Sequence, residues 1–199
     1  MPDGSFHQRK QFPLRADEGD NPDEAPQRKY GTPAVMGRIR EVIRDMDTPS
    51  WLRSVPRNFG SAAAGTIKAD EWRTLATVYL PVALVSIWGE GTTHGSKENT
   101  ASLRQVLDHT MDLVCAISLA CMNTMTPIRV ASYRRYILSW VSKVRVLHPK
   151  SKLSLNYHMA IHLCDFLQLF GPVRSWWCFP FERLIGYLQR LPHNHKLGT

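Results

Sequence analysis

The apolar residues of this chain recur every three or four positions over most of its length, a spacing that predicts α-helices. At Thr32-Pro33 a capping residue precedes a proline suited to the first helical position, so we predict a first helix over about 33–46. Pro49 ends that pattern. Further prolines and glycines predict an irregular segment over 48–67.

A second helical pattern begins near Ala69 and continues through Pro81 to Trp88. Because proline removes a backbone donor, we predict that this helix kinks or breaks in two at Pro81. After a glycine-containing loop, Thr100 begins a long apolar series, which predicts a helix that ends near Met125.

Three further helices are predicted in the second half of the chain. Thr126-Pro127 repeats the cap-then-proline start, and the helix that follows ends at His148-Pro149. Ser154 is placed to cap the next helix, and Gly171 is placed to stop it. The last, short helix is predicted from Phe181 to about residue 191.

Composition divides the chain into two regions. Residues 1–31 have too few apolar side chains to offset an ordering cost of roughly 1 to 2 kcal/mol per residue, so we predict a disordered tail. Only 173–179 shows any strand-like alternation, and the predicted fold is therefore all-α, with one helical domain over residues 32–199. No apolar run is long enough to span a bilayer and no secretory signal is present, so we expect an intracellular protein.

The net charge of +8 is distributed unevenly. Residues 125–199 contain 11 Lys/Arg and two Asp/Glu, whereas residues 1–124 contain 14 and 15. A basic half of this kind attracts polyanions, of which nucleic acid is the most common; a solvated surface that maintains solubility is the alternative. Four basic residues on one predicted helix are candidates for non-specific phosphate contacts, namely Arg134, Arg135, Lys143 and Arg145.

Two histidines, His158 and His162, lie four residues apart in a predicted helix. Their imidazoles therefore share one helix face and are able to hold one cation, as in many zinc sites. Two ligands do not complete such a site, and two histidines hydrogen-bonded at a helix interface are the alternative. The four cysteines contain no CxxC pair, which favours buried, reduced thiols over a disulfide framework.

Glu182 is one of only two acids in the basic half. It falls in the first turn of the last predicted helix, where a carboxylate paired with Arg183 or Arg174 is stabilised by the helix dipole. The second interpretation is a carboxylate that holds a catalytic divalent cation. The surrounding residues either stack on unpaired bases and contact phosphates or belong to the core. They are Trp176, Trp177, Phe179 and Phe181 with Arg174, Arg183 and Arg190.

A series of short segments carries a more specific signal. They are PRNFG at 56–60, IKADEWR at 67–73, YLPV at 79–82, HMAIH at 158–162, FGPV at 170–173, WCFPFER at 177–183, LQR at 188–190 and NHK at 194–196. Together these segments resemble the C-terminal part of CACTA (En/Spm-type) transposases, in particular the uncharacterised domain that follows the catalytic core in many fungal copies. The resemblance runs from about Pro33 to the last residue.

This resemblance implies a DDE/D transposase with an RNase H-like core, which cuts and joins DNA with two divalent ions, Mg²⁺ or Mn²⁺, held by acidic residues. In some related recombinases a late histidine pair completes a zinc site with an upstream CxxC, and the third catalytic acid follows it; here Glu182 follows His162 by twenty residues. The resemblance therefore implies structural zinc at His158 and His162 and a catalytic metal at Glu182. It also implies DNA contacts by the basic residues, including Arg174, Arg183, Arg190 and Lys196.

The chain departs from the family's pattern in two respects. No segment resembles the earlier transposase domain, which holds the first two aspartates and the CxxC, and Leu184 and Ile185 differ from the residues of plant relatives. We therefore predict a truncated C-terminal fragment that acts in the nucleus and lacks activity alone. Its expected partners are DNA and either a transposase core or further copies of itself. The alternatives are a non-catalytic helical module that binds DNA or protein and a decayed product that does not fold.

Overall fold

Helices make up the regular structure of this chain, for which the computed structural model describes residues 30–52, 55–92, 100–151 and 154–189. No strand occurs within these ranges, so the predicted all-α fold is confirmed. The predicted disordered tail lies outside the described residues up to position 29. The six helices are α1 (Pro33–Asp45), α2 (a continuous run of Ala69–Thr74, Leu75–Tyr79 and Leu80–Trp88), α3 (Thr100–Ala120), α4 (Pro127–Leu147), α5 (Leu155–Phe170) and α6 (Phe179–Leu188).

The starts of α1 and α4 follow from their capping residues. Thr32 Oγ1 accepts a hydrogen bond from Val35 N at 3.3 Å, and Thr126 Oγ1 accepts one from Arg129 N at 3.3 Å. A proline follows each cap at the first helical position, where a missing N–H leaves no hydrogen bond unmade. Both predicted starts are confirmed, and so is the irregular connection after α1, in which Ala62–Ala64 forms a single 3₁₀ turn.

Of the two outcomes predicted at Pro81, a kink or a break, the break does not occur, since the helical run continues through the proline. One turn before the proline, Leu75–Tyr79 forms a π-helical turn in which Leu80 N donates to Leu75 O. A π turn widens the helix by one residue, so the backbone accommodates a proline without ending the helix. The irregularity that proline requires is therefore shifted toward the start of the helix, and α2 continues to Trp88.

Helix α3 ends at Ala120, five residues before the predicted end at Met125. Met125 is apolar because it packs beside the core formed by α3, α4 and α5, and it does so from the connection between two helices. The apolar series in the sequence thus continues beyond the helix. Helix α5 has the predicted bounds, and Gly171 after it has a φ of +78°, a conformation that glycine adopts without strain.

The segment 173–179 is not a strand. Val173–Ser175 forms a 3₁₀ turn, and α6 starts at Phe179, two residues before the predicted Phe181. Pro180 occupies one of the first two positions of α6, which suits a residue without an N–H.

Two clusters of buried side chains form the core. The first joins α1 to α2, and the second joins the end of α3 to α4 and α5. Tyr133 Oη donates to Ala160 O at 2.7 Å and thereby fixes α5 against α4. Because α5 packs through Ala160, Cys164 and Leu167, its opposite side, which carries His158 and His162, faces outward. None of the described helices combines the length and apolarity that crossing a membrane requires.

Candidate nucleic-acid interface and histidine pair

Three of the four basic residues predicted on α4 form one exposed surface, which we call the α4 basic face: Arg134, Arg135 and Arg145. The helix buries Tyr133, Ile137 and Val144 on its other side. Arg134 and Arg145 lie about three turns, or roughly 16 Å, apart along the helix and point the same way. In the described part of the chain, no carboxylate lies within salt-bridge distance of these three guanidinium groups.

The fourth residue, Lys143, lies on a different side of α4, toward α3. Its Nζ is 3.0 Å from Asp112 Oδ2, and Ser139 Oγ donates to the same oxygen at 2.7 Å. Asp112 thus neutralises Lys143 and joins the two helices. We therefore expect Lys143 to contribute less to phosphate contacts than the α4 basic face.

Arg174 is held by the fold. Its Nη1 donates to Asn123 Oδ1 at 2.9 Å, and its guanidinium lies over the Trp177 ring at 5.5 Å. Arg73 of α2 also lies over that ring, at 5.9 Å. Trp177 is half-buried and both guanidinium groups lie over its ring, so a base that stacked on this ring would compete with these cations. This favours the structural interpretation for Trp177.

The other aromatic residues of this stretch differ in exposure. Trp176 Nε1 donates to Gly171 O at 3.2 Å, and its ring lies 6.2 Å from Phe166, whereas Phe181 on α6 is largely exposed. The side chains of Phe179, Glu182 and Arg183 lie outside the described residues, as do Arg190 and Lys196 entirely. Glu182 is the fourth residue of α6, which agrees with its predicted place in the first turn.

The histidine pair has a geometry suited to one shared cation. His158 Nε2 and His162 Nε2 are 3.1 Å apart, and both side chains are exposed. Two nitrogens bound to one tetrahedral zinc are about 3.3 Å apart when each Zn–N bond is about 2.0 to 2.1 Å. His162 Nδ1 lies 3.5 Å from Asp165 Oδ2, so this carboxylate stabilises the tautomer that leaves Nε2 free to bind. The residues therefore fit zinc, although a direct hydrogen bond between the rings has the same geometry.

The cysteines do not complete a metal site. All four are free, but of the four predicted buried thiols only Cys164 is buried, while Cys115 and Cys121 are half-buried. Cys164 is buried, and its Sγ donates to Ile161 O at 3.1 Å; burial and the neighbouring Asp165 raise the pKa of this thiol, which disfavours the thiolate that binds metals. Cys178 is exposed. In the described ranges, no group of three or more His, Cys, Asp or Glu is arranged to hold a metal ion.

A buried histidine on α3 was not indicated by the sequence. His109 is only 4% exposed, and its Nε2–H donates to Trp140 O at 2.9 Å. Its ring stacks on Trp140, which in turn stacks on Tyr157, and His148 lies 5.6 Å away. The stacked rings of His109, Trp140 and Tyr157 connect α3, α4 and α5. The sequence pattern indicated only the apolar neighbours Val106 and Leu107. A single histidine among them has no characteristic spacing that would predict its burial.

We predict that His109 makes the fold sensitive to acid. Burial lowers the pKa of this imidazole. The hydrogen bond to the Trp140 carbonyl and the negative charge of Asp112 oppose the lowering, whereas the positive charges of His148 and Lys143 reinforce it. With a lowered folded-state pKa, His109 binds fewer protons in the folded than in the unfolded chain, where it titrates near about 6.5. Its contribution to stability is therefore present above about pH 6.5 and is lost as the pH falls below it.

Urea denaturation measures this effect. The urea concentration at the midpoint of unfolding should decrease when the pH is lowered from about 7.5 to about 5. His109→Gln, whose amide is able to donate to the same carbonyl, should reduce the change of the urea midpoint with pH. His162→Gln on the exposed face serves as the control and should keep it. Equal pH dependence in the wild-type protein and His109→Gln would show that other groups cause it.

Comparison with known proteins adds no family to this geometry: no protein-family model, no curated protein and no solved structure matches the chain. The resemblance to CACTA-type transposases therefore stays a prediction from the sequence segments, as do the roles that it implies for His158, His162 and Glu182.

Proposed function

We propose that this chain is the helical C-terminal part of a CACTA-type DDE/D transposase and that it binds DNA without cutting it. The observation that carries the proposal is the α4 basic face, whose three guanidinium groups are exposed and unpaired with carboxylates in the described residues. Arginines in this state release counterions when they meet phosphates, which drives binding to any DNA sequence. A DNA partner implies that the protein acts in the nucleus.

The metal chemistry of the proposal belongs to the intact enzyme. Glu182 would supply the third catalytic acid for Mg²⁺ or Mn²⁺, and two aspartates from an earlier domain would supply the others. No segment of these 199 residues resembles that domain. His158 and His162 would hold structural zinc, and the 3.1 Å distance between their Nε2 atoms supports this part of the proposal. Without the aspartates, the chain alone is inactive.

The test combines a binding assay with a cleavage assay on the 199-residue protein. Fluorescence anisotropy with a labelled duplex of arbitrary sequence should show salt-dependent binding. The logarithm of the association constant should fall with the logarithm of the salt concentration at a slope of about −3, as expected for three phosphate contacts. Added Mg²⁺ or Mn²⁺ should produce no strand cleavage, and Glu182→Gln should bind DNA like the wild-type protein. Metal-dependent cleavage that Glu182→Gln abolishes would refute the inactive fragment.

The second candidate function is a non-catalytic helical module that binds a protein. It is favoured by apolar side chains exposed on α5, among them Leu155, Leu169 and Phe170. DNA affinity that is weak and independent of salt would support this function against DNA binding. The residues of the α4 basic face would then be an ordinary solvated surface.

A further inference from the structure

The outward side of α5 has the composition of an interface. It carries five exposed apolar residues, a glutamine, an asparagine, two histidines and one aspartate, and it has no Lys, Arg or Glu over the whole helix. An exposed helix face of this kind differs from a solvated one, which is mostly charged. We call the apolar residues the α5 outer face: Leu155, Met159, Phe166, Leu169 and Phe170.

His158 and His162 lie within this face as half of a metal site. Their Nε2 atoms, 3.1 Å apart, supply two ligands in tetrahedral spacing, and Asp165 beside His162 Nδ1 disposes that ring to bind through Nε2. The described residues offer no third ligand. A structural zinc site needs four ligands, and a second copy of the same histidine pair would supply the two that the described residues lack.

We infer that His158 and His162 from two copies of this chain bind one zinc ion between them, and that the α5 outer faces of the two copies form the surrounding interface. A twofold axis that passes through the zinc ion relates the two histidine pairs. Together the two pairs supply four imidazole ligands, and no further residue is needed. The inference shares its histidines with the zinc part of the proposed function. It replaces an upstream CxxC by a second copy, and it is independent of DNA binding.

The distribution of charge is compatible with this pairing. Two copies that each carry a net charge of +8 repel one another as whole molecules. Helix α5 itself carries no Lys or Arg, however, and a cation of α4, Arg134, lines one groove with the Asp165 carboxylate. The one shared zinc ion adds two positive charges near the two Asp165 carboxylates, so the metal offsets these acidic groups and also links the copies.

The experiment measures the mass of the purified protein by sedimentation velocity, without DNA, after chelator dialysis and during titration with zinc sulfate. The metal-free chain should sediment as a monomer of 22.7 kDa, and zinc should double the mass at one ion per two chains. Cobalt(II) in place of zinc should show the visible absorption of a tetrahedral site. Zinc that binds one ion per chain without a change in mass, or a dimer that forms equally without zinc, overturns the inference.

Variants locate the site. His158→Gln and His162→Gln should each abolish the zinc-dependent dimer, whereas the double variant His193→Gln with His195→Gln should retain it and exclude those histidines as ligands. Met159→Lys, which places a cation beside the metal, should weaken the dimer tenfold or more. Val146→Lys changes an apolar residue on α4 that is even more exposed than Met159, 79% against 49%, and should have no effect. A dimer that survives both single histidine changes overturns the assignment, and circular dichroism verifies that each variant is folded.

Failure of this inference and failure of the proposed function are distinguishable. Loss of zinc-dependent dimerisation with salt-dependent DNA binding intact removes only the shared metal site. DNA binding that is absent while zinc still doubles the mass removes only the nucleic-acid function. The two measurements use different residues and different ligands, so each outcome identifies which statement is wrong.

Discussion

Replacing Arg134, Arg135 and Arg145 together by alanine should lower the affinity for duplex DNA about a hundredfold near physiological salt. Each arginine that neutralises a phosphate contributes about 0.9 to the slope of log affinity against log salt, so the slope should fall almost to zero. The three side chains are exposed, and their removal exposes no buried partner. The measurement is fluorescence anisotropy at several salt concentrations, with circular dichroism to verify folding.

A matched control separates a localised face from the net charge alone. The triple variant Arg57→Ala, Lys68→Ala and Arg104→Ala removes the same three charges from exposed positions in the first half of the chain; Arg57 and Lys68 have no salt bridge to a described carboxylate, and Arg104 lies 3.4 Å from Asp108. It should change DNA affinity less than about threefold, since these residues lie outside the α4 basic face. Lys143→Ala should also have a small effect because Asp112 already pairs with Lys143. Equal losses in both triple variants would contradict a DNA site on α4.

Replacing Leu167 by alanine should destabilise the protein by about 3 kcal/mol. The side chain is 1% exposed and packs in the core cluster that joins α3, α4 and α5. Its removal leaves a cavity that the surrounding helices fill only in part. Urea denaturation followed by circular dichroism measures the change in the free energy of unfolding, and the wild-type protein should unfold in one cooperative transition.

Leu169→Ala provides the control for this change. Leu169 lies two residues away on the same helix but is 72% exposed, so its truncation should alter stability by less than about 0.5 kcal/mol. The comparison also tests whether the chain is a decayed product that does not fold. A gradual, non-cooperative transition with equal effects of the two leucine changes would support that alternative and exclude the packing described for α5.

The helices were predictable because their determinants are local. Thr32 and Thr126 cap the backbone three residues ahead, and Gly171 stops α5 through its own backbone conformation. The errors arose where distant packing decided the outcome. Met125 continues an apolar series because it packs on the second core cluster. At Pro81 the cause is local instead, because the π turn that precedes the proline keeps the helix continuous.

The candidate sites were predictable in part for the same reason. The spacing of His158 and His162 implies a shared helix face, and the structure places their Nε2 atoms 3.1 Å apart. The sequence did not reveal that Lys143 meets Asp112, because these residues are 31 positions apart and belong to different helices. Nor did it show that Arg73 and Arg174 both lie over the Trp177 ring.

The sequence by itself determined the all-α class, the starts of α1 to α5, the concentration of positive charge after residue 124 and the pairing of two imidazoles on one face. These properties depend on composition and on residues within a turn or two of each other. Only the tertiary structure decided which side of each helix is buried. That choice left Arg134, Arg135 and Arg145 exposed and placed the histidine pair on an outward apolar face, because α5 packs on α4 through Ala160, Cys164 and Leu167.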